Sequence, residues 1–212
     1  MTNLPSPTQW ERGGGEGSLH VIFVTMNSVP GPVFRVLLSF CRIVDRCIEW
    51  IAWIAAVAVL ATCLISAGNA FVRYGWNISS NAWLEIQWYL FAMTVMLGAP
   101  YVLRRNEHVR VDIFYSRLSP RGQAVLDLCG LALFLMPMVV LLLVLSWPIF
   151  VRTFVSGEVS SNAGGLVRWP AMLMLPLGFA LLAIQAVAEM IKRLAFLRGH
   201  GEIDALYEKP LQ

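Results

Sequence analysis

The chain has 212 residues, 58% of them hydrophobic and 14% charged, with a formal net charge of +3. Soluble domains average about 45–50% apolar and about 25% charged residues. One of this size could not bury so much apolar surface, whereas helices in lipid can leave it exposed. The small positive excess gives no sign of a nucleic-acid partner, and the position of the charges matters more than their sum.

Residues 1–32 are rich in Pro, Gly, Ser and Thr, including the run Gly13-Gly14-Gly15, and read as a disordered tail. Met26 opens an equally sensible start, so either Met1 or Met26 fits. The apolar patch Leu19–Met26 is too short to span a bilayer, lacks a basic leader, and is followed by no small-residue cleavage site. A membrane domain then occupies residues 33–198. Its first segment, Val33–Glu49, sets Arg35, Arg42, Asp45 and Arg46 among Val33, Phe34, Leu37, Leu38, Phe40 and Ile43. That pattern predicts an amphipathic piece lying along the inner membrane surface before turning into the first span.

A helix needs about 20 apolar residues to cross the hydrocarbon core. The uncharged runs Trp50–Val72, Ile86–Leu103, Leu128–Val151 and Trp169–Ala188 meet or approach that length. They place spans at about 50–72, 84–103, 126–151 and 169–191, an all-α integral membrane four-helix bundle. Between spans two and three, Val111, Phe114, Tyr115 and Leu118 recur at helical spacing, with Arg110, Arg117 and Arg121 on another face. This predicts a second interfacial helix against anionic headgroups. Ser119-Pro120 supplies an N-cap and a first-turn proline for span three. Pro137, Pro148, Pro170 and Pro176 predict kinks or local unwinding. The third connection, Ser156–Gly165, is short, polar and Gly-rich, and residues 199–212 form a C-terminal tail.

Basic residues orient the spans. Thirteen of the sixteen Lys and Arg lie in the N-terminal segment, the central loop and the C-terminal tail; only Arg73, Arg152 and Arg168 lie in or beside the other two connections. Lys and Arg gather on the cytoplasmic side, so both termini and the central loop are expected there. Trp50, Trp53, Tyr74, Trp76, Trp83 and Trp169 frame the spans at headgroup level.

Little chemistry is visible. Cys41, Cys47, Cys63 and Cys129 form no CxxC pair or zinc spacing, and His20, His108 and His200 fall outside the apolar runs. No Ser/His/Asp or Cys/His arrangement, HExxH or phosphate-binding Gly motif is present, so no catalytic residue, metal or cofactor is expected. Asp45, Glu49, Glu85, Asp127 and Glu189 stand at or near span ends, where water or headgroups are expected to reach them. Glu85 is set about one turn inside the outer end of span two, with Arg73 across the short connection. The two are expected to pair and pin spans one and two, the alternative being a proton-coupling carboxylate. Asn69, Gln87 and Gln185 suit hydrogen bonds between helices.

A set of landmarks runs through residues 40–198: Asn69-Ala-Phe-Val-Arg73-Tyr74, Trp83-Leu-Glu85, Leu97-Gly98-Ala99, His108-Val-Arg110-Val-Asp112 and Pro176-Leu-Gly178-Phe. With four spans and a basic central loop, these resemble the small membrane subunit of tripartite ATP-independent periplasmic (TRAP) transporters. Departures from that pattern lie chiefly in the N-terminal tail. The resemblance implies a bacterial inner-membrane subunit without catalytic role, paired with a large permease subunit that holds the substrate and sodium sites. It also implies a periplasmic binding protein that delivers an organic acid such as a dicarboxylate. Structural or partner-facing candidates on the matching positions are Arg73, Glu85, Gly98, Arg110 and Asp112. Gly98 and Ala99 are expected to let helices approach closely, and Arg110 and Asp112 to anchor the central loop by a salt bridge or to meet the partner. The competing reading is a self-sufficient small transporter or channel acting as a homo-oligomer.

Overall fold

The computed structural model describes residues 32–77, 80–105 and 118–199. The expected tails, the central-loop helix, Arg110 and Asp112 lie outside the described residues.

Among the described residues, four helices are long and apolar enough to cross a membrane. Helix α1 runs Pro32–Trp76, α2 Asn81–Arg105, α3 Pro120–Ser156 and α4 Trp169–Leu197. The turn expected near Glu49 is absent, and α1 is one helix of 45 residues, about 67 Å long. Two causes are visible. No Gly or Pro interrupts the chain from Val33 to Ala67, and the predicted surface segment instead buries Cys41, Val44 and Ile48 against Ala188 of α4. Tertiary packing therefore continues the helix where the charge pattern alone predicts a turn.

Ser119 caps α3 as its sequence predicts: its side chain accepts from Gly122 N–H at 3.2 Å, and Pro120 occupies the first turn. Within α3 the stretch Leu131–Leu135 is a π turn, where Met136 N–H donates to the Leu131 carbonyl five residues back. Pro137 follows directly. Its ring would crowd the Leu133 carbonyl in a regular helix, and a wider turn relieves that clash. Pro100 and Pro176, by contrast, sit fully buried inside α2 and α4. Helices α1 and α3 both end on left-handed residues, Asn77 (φ 54°) and Gly157 (φ 60°), which turn the chain back at once.

Helix α4 is the hub. It packs against α1, α2 and α3, while α1 and α2 also pack along each other. Helix α3 leans on α4, with its main interface there. The arrangement is thus an α1–α2–α4 core with α3 on its flank, more open than a four-cornered bundle. Exposed Leu133, Phe134, Met138, Leu141, Val144 and Leu145 of α3 suit contact with acyl chains.

Two polar levels bracket the helices. From Glu85 to Arg104 in α2 is about 28 Å at 1.5 Å per residue, and from Arg168 to Glu189 in α4 about 32 Å. Both match a hydrocarbon core of about 30 Å. One level lies at the end with the α1–α2 turn, and the other at the end where α2 and α3 meet the central loop.

Candidate functional site

At the central-loop end, charged side chains from all four helices converge. Asp45 of α1 meets Lys192 of α4 at 3.2 Å and Arg104 of α2 at 3.5 Å. Arg104 also reaches Glu49 at 2.7 Å. Glu189 of α4 binds Lys192 and Arg193, spaced three and four residues on, so one helical turn presents both cations to it. Arg193 continues to Asp127 of α3 at 3.1 Å. Gln185 sits one turn earlier, donating Nε2 to Asp45 and to Glu189, each at 3.0 Å.

The heart of this network is dry. Gln185 is 0% exposed, Arg193 2% and Glu189 3%. The expectation that Glu189 stands where water or headgroups reach it is therefore corrected. Helix α4 is the hub, so residues near its end remain enclosed by the other three helices. Buried charges demand partners, and here each carboxylate of the network has at least one cation. The sequence signal was available in the i, i+3 and i, i+4 spacing of Gln185, Glu189, Lys192 and Arg193. What the sequence could not give was Asp45 and Arg104 arriving from other helices.

At the opposite end, Glu85 is also buried, at 3% exposure. Its expected partner Arg73 is not beside it: Arg73 is exposed and stacks its guanidinium 5.3 Å from the Tyr74 ring centroid. Glu85 instead accepts from Leu166 N–H at 2.7 Å and from Asn162 Nδ2 at 2.8 Å, with the Ser160 side chain as a further donor. These donors belong to the α3–α4 connection, which folds into a small hairpin. Ser160 N–H donates to the Leu166 carbonyl, Arg168 N–H to the Glu158 carbonyl, and Val159 bridges Val167. Gly164 (φ 72°) makes its tight turn, and Gly165 fits only without a side chain, since a Cβ would come within 2.7 Å of Ser160 Cβ. The Arg168 and Glu158 side chains pair across its base. Asn81 Nδ2 and Tyr89 O–H of α2 add bonds to the Ala163 and Val167 carbonyls. Glu85 thus seats the hairpin on α2. Beside it a cleft of about 370 Å³ is lined by Trp88, Tyr89, Ser161, Arg168 and Met172.

Gly98 differs from expectation as well. A Cβ there would meet nothing within 4 Å, so among the described residues no helix approaches it closely. The close crossing is at Gly178 of α4, where a Cβ would lie 2.6 Å from Met96 Cβ and 2.9 Å from the Met96 carbonyl. The stripe Leu97-Gly98-Ala99 names the right part of α2 but the wrong partner of the contact.

Chemically, these groups hold helices and a loop together. The carboxylates of both levels accept hydrogen bonds from cations and amides, and among the described residues no three His, Cys, Asp or Glu gather to hold a metal. Such a molecule is a multi-pass helical membrane protein whose buried charges bind its own elements. Residues 62–196 match the family model described as the DctQ component of tripartite ATP-independent periplasmic transporters. The match covers most of the chain, which therefore belongs to that family of small transporter components. A Haemophilus influenzae protein named as a TRAP transporter small permease protein is 33% identical over 89 residues, 42% of this chain and 53% of that protein. The match thus spans about half the length of this curated relative. No solved structure matches the chain.

Proposed function

We propose that this chain is the non-catalytic small subunit of an ion-gradient-driven TRAP-type uptake system for organic acids such as dicarboxylates. In this reading it sits in a bacterial inner membrane with both termini and the central loop cytoplasmic. It buttresses a large permease subunit and widens the surface on which a periplasmic binding protein docks. The hairpin seated on Glu85 would then face the periplasm, and the ionic network the cytoplasm. Arg110 and Asp112 of the central loop are assigned to the cytoplasmic contact with the large subunit.

One observation carries the scaffold reading. Among the described residues, the buried charged groups, Glu85, Glu189 and Arg193, all hold partners within the chain. Intramembrane charge on a transport path must bind and release its cargo, whereas these groups are locked between helices or onto a loop. The interfacial lie expected of Val33–Glu49 gives way to packing on α4, which lengthens the rigid body beyond the bilayer.

The test is reconstitution into vesicles under a sodium gradient. The chain alone is expected to move no dicarboxylate, and uptake should require the large subunit and the binding protein together. Robust uptake by the chain alone would favour a self-sufficient homo-oligomeric transporter or channel and end the scaffold reading. In the same preparation, Asp112→Arg is expected to reduce co-purification of the large subunit; unchanged assembly removes Asp112 from the interface.

A further inference from the structure

Between α1 and α2, at the end joined by residues 77–80, lies a second cleft of about 380 Å³. Leu64, Ile65, Val72 and Trp83 make most of its lining, and Gly68 opens it, since a Cβ there would meet nothing within 4 Å. Its volume falls in the range of ligand pockets, about 300–1,000 Å³. Much of the lining is exposed, Leu64 at 64%, Trp83 at 49% and Val72 at 40%, so the cleft opens sideways, where acyl chains surround a helix in lipid.

Polarity in the cleft is graded along α1. Asn69 lines the cleft, and among the described residues its carboxamide has no hydrogen-bond partner. Arg73 stands one turn further out, about 6 Å along the helix. It is exposed, and among the described residues no carboxylate pairs with it. Trp76, three residues beyond Arg73, and Trp83, on the α2 side of the cleft, are both exposed, and amphipathic rings favour the headgroup layer. From outside inward the surface therefore offers a fixed cation, an amide and an apolar slot. A glycerophospholipid presents the complementary order: phosphate, ester carbonyl and acyl chain.

We propose that the α1–α2 cleft is a phospholipid site that takes one acyl chain against Leu64, Ile65 and Gly68, the glycerol ester at Asn69 and the phosphate at Arg73. The orphan amide then gains its partner, and Arg73 gains an anion at headgroup depth. A net-anionic headgroup binds more tightly than a zwitterionic one, because no neighbouring carboxylate competes for Arg73.

The experiment uses the full chain, extracted from its membrane with the proteins that accompany it. Native mass spectrometry with added phosphatidylglycerol or phosphatidylcholine is expected to show one retained lipid per chain, with phosphatidylglycerol favoured about tenfold. Gly68→Leu fills the slot and should lower retention at least tenfold, while Gly68→Ala, which fits the open space, should keep it. Arg73→Gln should bring the two lipids to parity. Retention that is equal in wild type and Gly68→Leu overturns the site. In intact membranes, a photoreactive residue at Ile65, half-buried in the cleft, should form a lipid adduct that is lost when Gly68→Leu fills the slot. A crosslink there to another polypeptide, or to a second copy of this chain, assigns the cleft to a protein contact and overturns the proposal.

Discussion

Replacing Glu189 by Leu removes the acceptor at the centre of the ionic network and leaves the Arg193 guanidinium, 2% exposed, short of one of its carboxylates. Breaking a buried pair from one side costs about 3–5 kcal/mol, because the remaining charge stays buried. The geometry places this case near the lower bound. Arg193 keeps Asp127 at 3.1 Å, Lys192 keeps Asp45 at 3.2 Å, and Gln185 keeps Asp45 at 3.0 Å. A loss of about 3 kcal/mol follows, more than a hundredfold in the unfolding equilibrium. The double variant Glu189→Leu/Arg193→Leu removes the network's two most deeply buried charges and takes Arg193 from Asp127, whose side chain is 17% exposed; packed apolar residues in place of a buried pair are often neutral. It should therefore be more stable than Glu189→Leu alone, with a coupling of about 2 kcal/mol between the two positions. Helicity followed through a denaturing-detergent titration in mixed micelles, for these two variants and for Arg193→Leu, gives the three free-energy differences. Additive losses, with no coupling, would refute the reasoning, as would a single variant within about 1 kcal/mol of wild type.

Two further substitutions test the other end and the helix crossing. Glu85→Gln keeps an acceptor but turns an amide N–H₂ toward donors such as Leu166 N–H, so the hairpin should loosen by about 1–3 kcal/mol. Hydrogen exchange across residues 157–168 should then speed at least fivefold while α4 is unchanged, and unaltered exchange would detach Glu85 from the loop. Gly178→Ala forces a Cβ into Met96 and should cost about 1–3 kcal/mol, whereas Gly98→Ala meets nothing within 4 Å and should stay within about 0.5 kcal/mol of wild type. Thermal unfolding in detergent separates the pair, and equal effects would contradict the crossing.

How much of this was legible in the sequence depends on the range of the interaction. Span number and the Ser119-Pro120 start of α3 are local, set by runs of apolar residues and by one side chain reaching three residues on. Both appear as expected. Pro137 is also local, and it marks the unwinding, although the π turn lies just before it. The partners of Glu85 were not legible. Arg73 is near it in sequence and of opposite charge, yet the carboxylate selects uncharged donors 77 and 81 residues away. A backbone N–H held in a hairpin loses little further freedom on binding, while a long arginine at a membrane edge would have to give up solvent and rotamers. Sequence proximity favoured the ion pair, but preorganisation decided the contact.

The same logic explains why charge lies buried in a protein surrounded by lipid. Between helices in a bilayer there is little hydrophobic gain to set one arrangement above another, since acyl chains are as apolar as leucine. Specific packing must come from close fits and from polar groups that have only one good set of partners. Gly178 on Met96 is the close fit. The Asp45–Gln185–Glu189–Arg193–Asp127 chain is the polar selector, and it links α1, α3 and α4 directly and α2 through Arg104. A shift of α4 by one turn, about 5.4 Å, would pull Gln185 and Lys192 away from Asp45 and Arg193 away from Asp127. The register of the hub helix is therefore fixed by charge at one boundary and by a hairpin on Glu85 at the other. A body held at both ends in this way is what the proposed scaffold role requires.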